Sequence, residues 1–375
     1  MRSLHRVAFA SIASSLVGIG LIAPPRSGGV EGAPPGPKSP ERPDAHADAL
    51  SRVGLAEIDA VPAERWALLR ERRIYFAHQS VGGNMMRGLG AILRERPAIG
   101  IATRRLVAPS RETPTTARGA FESPGLVHGP AGSNGDPAAK FDSFERFVTG
   151  AGGEAIDVAF VKLCYADISA STDVDALFAR YAAMVERIRK ARPGLTVLHA
   201  TVPLKSADQG AKGAVKRLAG GGTGPSNAAR GRYNLLLRAR YPKREIVDIA
   251  RAESRELDGS EVTTTVSGVA WPVLCAGYTS DGGHLNEVGQ VVVARALLLA
   301  LAEHASPSAS GSRGNEPDGR GADRRPRDFR EGPPADLREK RDEKRDVRRD
   351  VRRYVKPGGL QEDDAERGAP VGSRA

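Results

Sequence analysis

From Ile74 to Glu303 the chain alternates short, nearly continuous apolar runs with longer segments whose apolar residues recur at helical spacing, and few architectures accept that alternation. Ile74–Ala77, Ile101–Val107, Ile156–Leu163, Leu195–Val202 and Glu245–Ile249 read as strands. Asn84–Arg94, Ala138–Val148, Val174–Ala191, Ala228–Arg240 and Leu285–Glu303 read as helices, and Ala63–Arg72 as a shorter one that packs Trp66 and Leu69. Runs such as DVAFVKL and TVLHATV show little polar alternation, the pattern of a parallel sheet covered by helices on both faces. The expected fold is therefore α/β, a three-layer α/β/α sandwich around a five-stranded parallel sheet. Ligands of such sheets gather at the carboxyl ends of the strands. No GxxxxGK[ST] loop occurs, and no GxGxxG follows the first strand, so the common nucleotide-binding loops are excluded.

The two ends of the chain lack this pattern. Arg2 and Arg6 precede the apolar VAFASIASSLVGIGLIA, which stops at Pro24 and Pro25, so residues 1–24 read as a signal peptide, with an uncleaved anchor as the alternative. An exported protein, periplasmic, extracellular or envelope-associated, is expected; membrane contact follows only if that segment is retained. Residues 25–54, rich in Pro, Gly and charge, read as a flexible leader, and 55–304 as the folded domain. Residues 305–375 read as a disordered charged tail, because they offer little to bury. Much of the formal net charge of +11 sits in that tail. With aromatics at 5% and no recognised nucleic-acid motif, specific nucleic-acid binding is not expected; weak contact of the tail with anionic envelope polymers is. Cys164 and Cys275 are too few for a disulfide scaffold and wrongly arranged for zinc, and the sequence leaves open whether they pair.

Within the domain, IYFAHQSVGGNMMRGL sets Ser80 in a turn between the first strand and a helix, with Gly82 and Gly83 relieving crowding there. A serine so placed suits either a helix cap or a nucleophile facing the first N–H groups of the helix. A nucleophilic serine needs a base, and the base an orienting carboxylate. YTSDGGHLNEVG supplies both: Asp281 stands three residues before His284, just ahead of the last helix and at the same sheet edge as Ser80. With these blocks the chain resembles the SGNH (GDSL-type) hydrolase superfamily over roughly residues 72–304. HQSV stands where that family has GDSL, and DGGH matches its last block. The resemblance implies a flavodoxin-like SGNH-hydrolase fold, with Ser80 as nucleophile, His284 as base and Asp281 as orienter. It also implies an oxyanion hole from the N–H groups of Ser80 and Gly135, the latter within GSNGDP after the second strand.

The match is incomplete at the third block, where the family's GxND asparagine donates to the oxyanion. This chain reads KLCYADI, with Ala166 or a neighbour at that position. Loss of such a donor typically costs about 2.7 to 4 kcal/mol of transition-state stabilisation. Asn134 is the first substitute the sequence offers and Asn84 the second. Gln79 replaces the family's aspartate, and His78, Gln79, Asn84, Tyr165 and Asp167 are expected around the substrate cleft. His78 reads as a hydrogen-bonded structural histidine rather than a metal ligand, and His199 as a core residue. Lys162, inside an apolar strand, should pair with Asp167 or Asp136. Arg230, Tyr233 and Asn234 read as faces of one helix, without assigned function. The implied activity is that of an exported serine esterase or deacylase, acting without metal or organic cofactor on a small-molecule or carbohydrate ester. An acyltransferase with the same triad, or a catalytically weakened glycan-binding or envelope-binding protein, is the alternative.

Overall fold

In the computed structural model, residues 45–106, 119–208 and 222–305 are described. The sheet is built on β1 (Arg73–His78), whose residues are almost all buried because both faces are covered. It pairs in parallel with β3 (Gly125–Pro130) on one side and β4 (Val158–Val161) on the other. With β2 (Thr103–Arg105) and β5 (Thr196–Val197) at the margins, the order is β2-β3-β1-β4-β5, parallel throughout. Past Leu198 the last strand continues as β6 (His199–Ala200), which pairs with β7 (Ile246–Val247). The chain moves outward from β1 to β2, returns to β3, then crosses to β4. That reversal puts the switch point, where such sheets bind ligands, at the carboxyl end of β1.

Helices form the outer layers. On one face, α1 (Ala45–Val53), α2 (Ala56–Asp59), α3 (Ala63–Arg70), α4 (Val81–Glu95), α8 (Ile249–Glu253) and α9 (Glu287–His304) pack on Ile74, Phe76, Leu126 and Phe160. On the other, α5 (Pro137–Thr149), α6 (Val174–Ala191) and α7 (Thr223–Arg240) cover Tyr75, Ala77, Val127 and Val161. The alternation of successive β1 residues between the two cores is the period of two expected of a strand. This is the α/β sandwich with a five-stranded parallel sheet that the sequence pattern predicts.

Several boundaries differ from the sequence expectation. GLVHGP is not expected as a strand, since a glycine, a histidine and a proline interrupt its apolar content, yet it forms the inner strand β3. Ile101–Val107 contributes only the marginal β2. The GSNGDP loop consequently follows the third strand rather than the second. VTTTVSGVAWP forms an unexpected antiparallel hairpin, β8 (Thr263–Val266) and β9 (Val269–Pro272), turning at Ser267 and Gly268, both at positive φ. The leader was expected to remain flexible to residue 54, but α1 is helical because Ala49 and Val53, four residues apart, are buried in the core. Residues 1–44 and 306–375, with the expected signal segment, most of the leader and the tail, lie outside the described residues. Among those described, no helix is long and apolar enough to cross a membrane.

Candidate active site

Ser80 ends the loop after β1 and caps α4, but its side chain makes no cap hydrogen bond. Its Oγ instead lies 2.7 Å from Nε2 of His284. Its backbone sits at φ 50, ψ −108, and the N–H of Gly82 donates to the carbonyl of Gln79 at 3.1 Å, closing a tight turn with Ser80 at the corner. A non-glycine residue in such a region stores about 1–3 kcal/mol of strain, and such residues concentrate at functional sites. The glycines at 82 and 83 belong to the first helical turn rather than to the turn before it. The N–H groups of Ser80 and Val81 take no acceptor among the described residues.

His284 is held by its own loop. His284 Nδ1 lies 2.6 Å from Asp281 Oδ2, while the backbone N–H groups of Gly283 and His284 donate to Asp281 Oδ1 at 2.8 and 2.7 Å. The hydrogen bond from His284, then these backbone donors, pull the Asp281 carboxyl down to about 2. Thr279 Oγ1 donates to the carbonyl of His284 at 2.6 Å. Gly283 admits the neighbouring tyrosine, since a Cβ there would lie 2.9 Å from the Tyr165 ring. Both His284 and Asp281 are about half exposed, so the arrangement opens to solvent.

Residues 80 and 284 meet because their helices do. Gly88 of α4 lies so close to α9 that a Cβ would stand 2.1 Å from the carbonyl oxygen of Gln290. Asn84 fastens the helix to the histidine loop, donating to the carbonyl of Leu285 at 3.3 Å and accepting from its N–H at 3.4 Å. Asn84 is therefore buried as a brace and does not face a cleft.

The expected oxyanion donors are largely committed elsewhere. Gly135 N–H donates to Asp167 Oδ1 at 2.8 Å, and Asn134 Oδ1 accepts from Lys140 Nζ at 2.9 Å. Asp167 is buried rather than in the cleft, bonded to Lys140 Nζ at 2.5 Å and to Cys164 N–H at 2.6 Å. It ties the GSNGDP loop to the CYAD loop. Lys140, not Lys162, is thus the partner of Asp167, and Asp136 caps α5 instead. Lys162 Nζ donates to the Leu163 carbonyl and the Cys164 sulfur, at 3.1 and 3.2 Å, and burial lowers its pKa. Cys164 and Cys275 are both free and buried. The sequence signal for Lys140 is its place on the same helical stripe as Phe141, Phe144 and Val148.

Tyr165 does reach the site. Its hydroxyl is 3.5 Å from His284 Nε2, and Lys205 Nζ sits 5.5 Å over its ring. Burial, then the Asp281 charge, raises the Tyr165 pKa, keeping the hydroxyl protonated. Arg230 Nε donates to the Tyr165 carbonyl at 2.8 Å, so the unassigned helix α7 holds this loop. From the same helix Asn227 and Asn234 bond the backbones of Lys205 and Val202. Gln79 Nε2 donates to the Gly132 carbonyl at 2.7 Å. His78 pairs with His128, which sequence reasoning did not single out, and His199 is buried against Tyr181.

No family model and no curated protein matches the chain. Among solved structures it is similar to a Streptococcus pneumonia protein described as a candidate platelet activating factor. The identity is 17% and the TM-score 0.35, with 68% of this chain and 97% of that one covered.

Proposed function

We propose that the chain is an exported serine hydrolase of SGNH type that cleaves carboxylic esters through Ser80, His284 and Asp281. The observation that carries this reading is the continuous pair of short contacts, Ser80 Oγ to His284 Nε2 at 2.7 Å and His284 Nδ1 to Asp281 Oδ2 at 2.6 Å. Ser80 Oγ bonds to the ester carbonyl carbon while His284 Nε2 takes its proton. The tetrahedral oxygen gains its negative charge facing the N–H groups of Ser80 and Val81, where the start of α4 favours an anion. His284 then returns the proton to the departing alkoxide, leaving an acyl-serine. Water repeats the sequence, releasing the acid and restoring Ser80. Asp281 stays ionised, fixing the imidazole tautomer and stabilising its cation.

Beside Asp281 and Gly282 lies an open cavity of about 370 Å³ lined by Lys205, Ser206, Asp208 and Thr223. Its polarity suits a hydrophilic leaving alcohol, which favours acyl groups on carbohydrate or envelope polymers. A second reading, a glycan-binding protein without turnover, is favoured by Ala166 at the asparagine position and by commitment of the Gly135 N–H to Asp167. A fluorophosphonate probe separates the two. Labelling of the wild type, abolished in Ser80→Ala and strongly slowed in His284→Ala, is expected; a folded, unlabelled wild type establishes the binder.

A further inference from the structure

Beside Ser80, three polar side chains form a row across adjacent strands: His78 in β1, His128 in β3 and Arg105 in β2. Arg105 and His128 are direct cross-strand partners. His78 Nε2 lies 2.9 Å from His128 Nδ1, with the rings stacked at 5.2 Å between centroids. The same face carries Ile74, Phe76 and Leu126 deeper in the core, so this row marks where the apolar face stops.

The hydrogen-bonding capacity of the row is not used up. His78 Nδ1 is buried with no partner among the described residues. A buried nitrogen tolerates being an idle acceptor better than being an idle donor, so the His78 proton belongs on Nε2, donated to His128 Nδ1. His128 then carries its own proton on Nε2, which has no acceptor among the described residues. Burial lowers the pKa of both rings, His78 to about 3, and leaves them neutral. The Arg105 guanidinium likewise has no carboxylate or carbonyl partner among the described residues. These groups, with Gln79, Ser80 and Gly83, line a cavity of about 170 Å³.

The cavity is small, mixed in polarity and carries one cationic side chain, Arg105, and a nucleophile forms part of its wall. Neither His284 nor Tyr165 lines it. A leaving oxygen must approach His284 Nε2 to receive its proton, so the fragment directed into this cavity is the one that stays on Ser80. At about 170 Å³ the cavity is well below the roughly 300–1,000 Å³ of pockets that take drug-sized ligands. We propose that this cavity is the acyl site and that it takes a short acyl chain ending in a carboxylate, bound by Arg105 and His128 Nε2–H. A long alkyl chain does not have the room. The assignment to the acyl side rests on the hydrolase reading of Ser80, but carboxylate binding is measurable apart from it.

Two measurements on the full chain test this. Calorimetric titration compares succinate with butyramide, which carries no carboxylate; hydrolysis by pH-stat compares monoethyl succinate with ethyl butyrate. Charge-assisted hydrogen bonds of this kind correspond to about tenfold or more in affinity. Succinate is expected to bind at least about tenfold tighter than butyramide, with a matching kcat/KM preference for monoethyl succinate over ethyl butyrate, and Arg105→Gln is expected to collapse both ratios. Ratios near one, or ratios that survive Arg105→Gln, overturn the proposal. If both esters are hydrolysed equally, the acyl-site assignment falls while the hydrolase reading stands. If succinate binds in an Arg105-dependent way but neither ester is cleaved, the carboxylate site stands and the hydrolase reading falls.

Discussion

Ser80 holds a backbone conformation that a glycine adopts freely and a serine does not. This strain gives a stability test that is independent of turnover. Ser80→Ala retains the unfavourable φ, whereas Ser80→Gly relieves it, so the glycine variant should exceed the alanine variant by about 1–2 kcal/mol in urea unfolding. Both should lose probe labelling; equal stabilities would mean that the turn is relaxed. Asp281→Asn retains an oxygen for the Gly283 and His284 N–H groups but removes the charge that orients His284 Nδ1. Ester turnover should fall by about 10³–10⁴, with little change in unfolding midpoint. Ser80, Asp281 and His284 were legible in the sequence because their spacing and their neighbouring glycines are local features. The fate of Gly135, Asn134 and Asp167 was not, because it depends on Lys140, twenty-seven positions from Asp167 and buried on another element.

At the level of elements, the contact between Ser80 and His284 is a consequence of how α4 meets α9. Gly88 permits that approach, and Ala there must push the helices apart, since its Cβ would overlap the Gln290 backbone. Such overpacking typically costs about 1–3 kcal/mol. Gly88→Ala should therefore lower stability by that amount and reduce kcat more than it raises KM, as Ser80 and His284 separate. Gly90→Ala, two residues on and on another face of α4, with only the Arg94 guanidinium near at 3.7 Å, serves as the comparison. It should stabilise by about 0.5–1 kcal/mol, as replacing a helical glycine by alanine does. A Gly88→Ala variant as stable as Gly90→Ala would show that the two helices yield. The helices themselves were readable from periodicity, as was the central strand before Ser80. β3 was hidden because its neighbours, rather than its own apolar content, make it a strand: Gly125 to Pro130 pairs with β1 at every position. The hairpin at Ser267 and Gly268 carried a recognisable turn signal between β-branched runs, but lay outside the α/β alternation that organised the reading.

Across the whole molecule, buried titrating groups set opposing pH dependences. Burial lowers the pKa of His78, to about 3, and also those of His128, His199 and His304. These rings stay neutral in the native state while the unfolded chain protonates them below about pH 6.5, so stability falls as pH drops through that value. Glu253 acts in the opposite sense. It is fully buried, its Oε1 accepts from the N–H of Leu204, and its Oε2 has no partner among the described residues. Desolvation pushes its carboxyl up to about 8, outweighing the Leu204 hydrogen bond and the attraction of Lys162 and Arg230. The native state thus keeps a proton that the unfolded chain releases above about pH 4.3, and stability declines with rising pH until about 8. Below about pH 6.5 the imidazoles outnumber this single carboxyl and the net slope is upward. Above it Glu253 acts unopposed by them, at a limiting slope of about 1.4 kcal/mol per pH unit. Urea unfolding should therefore reach its highest free energy near pH 6.5 and decline by pH 8. Glu253→Gln, uncharged at every pH, should remove the alkaline decline and leave the acid limb in place. A wild-type profile flat from pH 6.5 to 8 would mean either that Glu253 is ionised in the fold, with Lys162 and Arg230 the nearest cations in its field, or that Lys162, whose pKa burial also lowers, is neutral in the native state and offsets it. Equal slopes in wild type and Glu253→Gln identify the first.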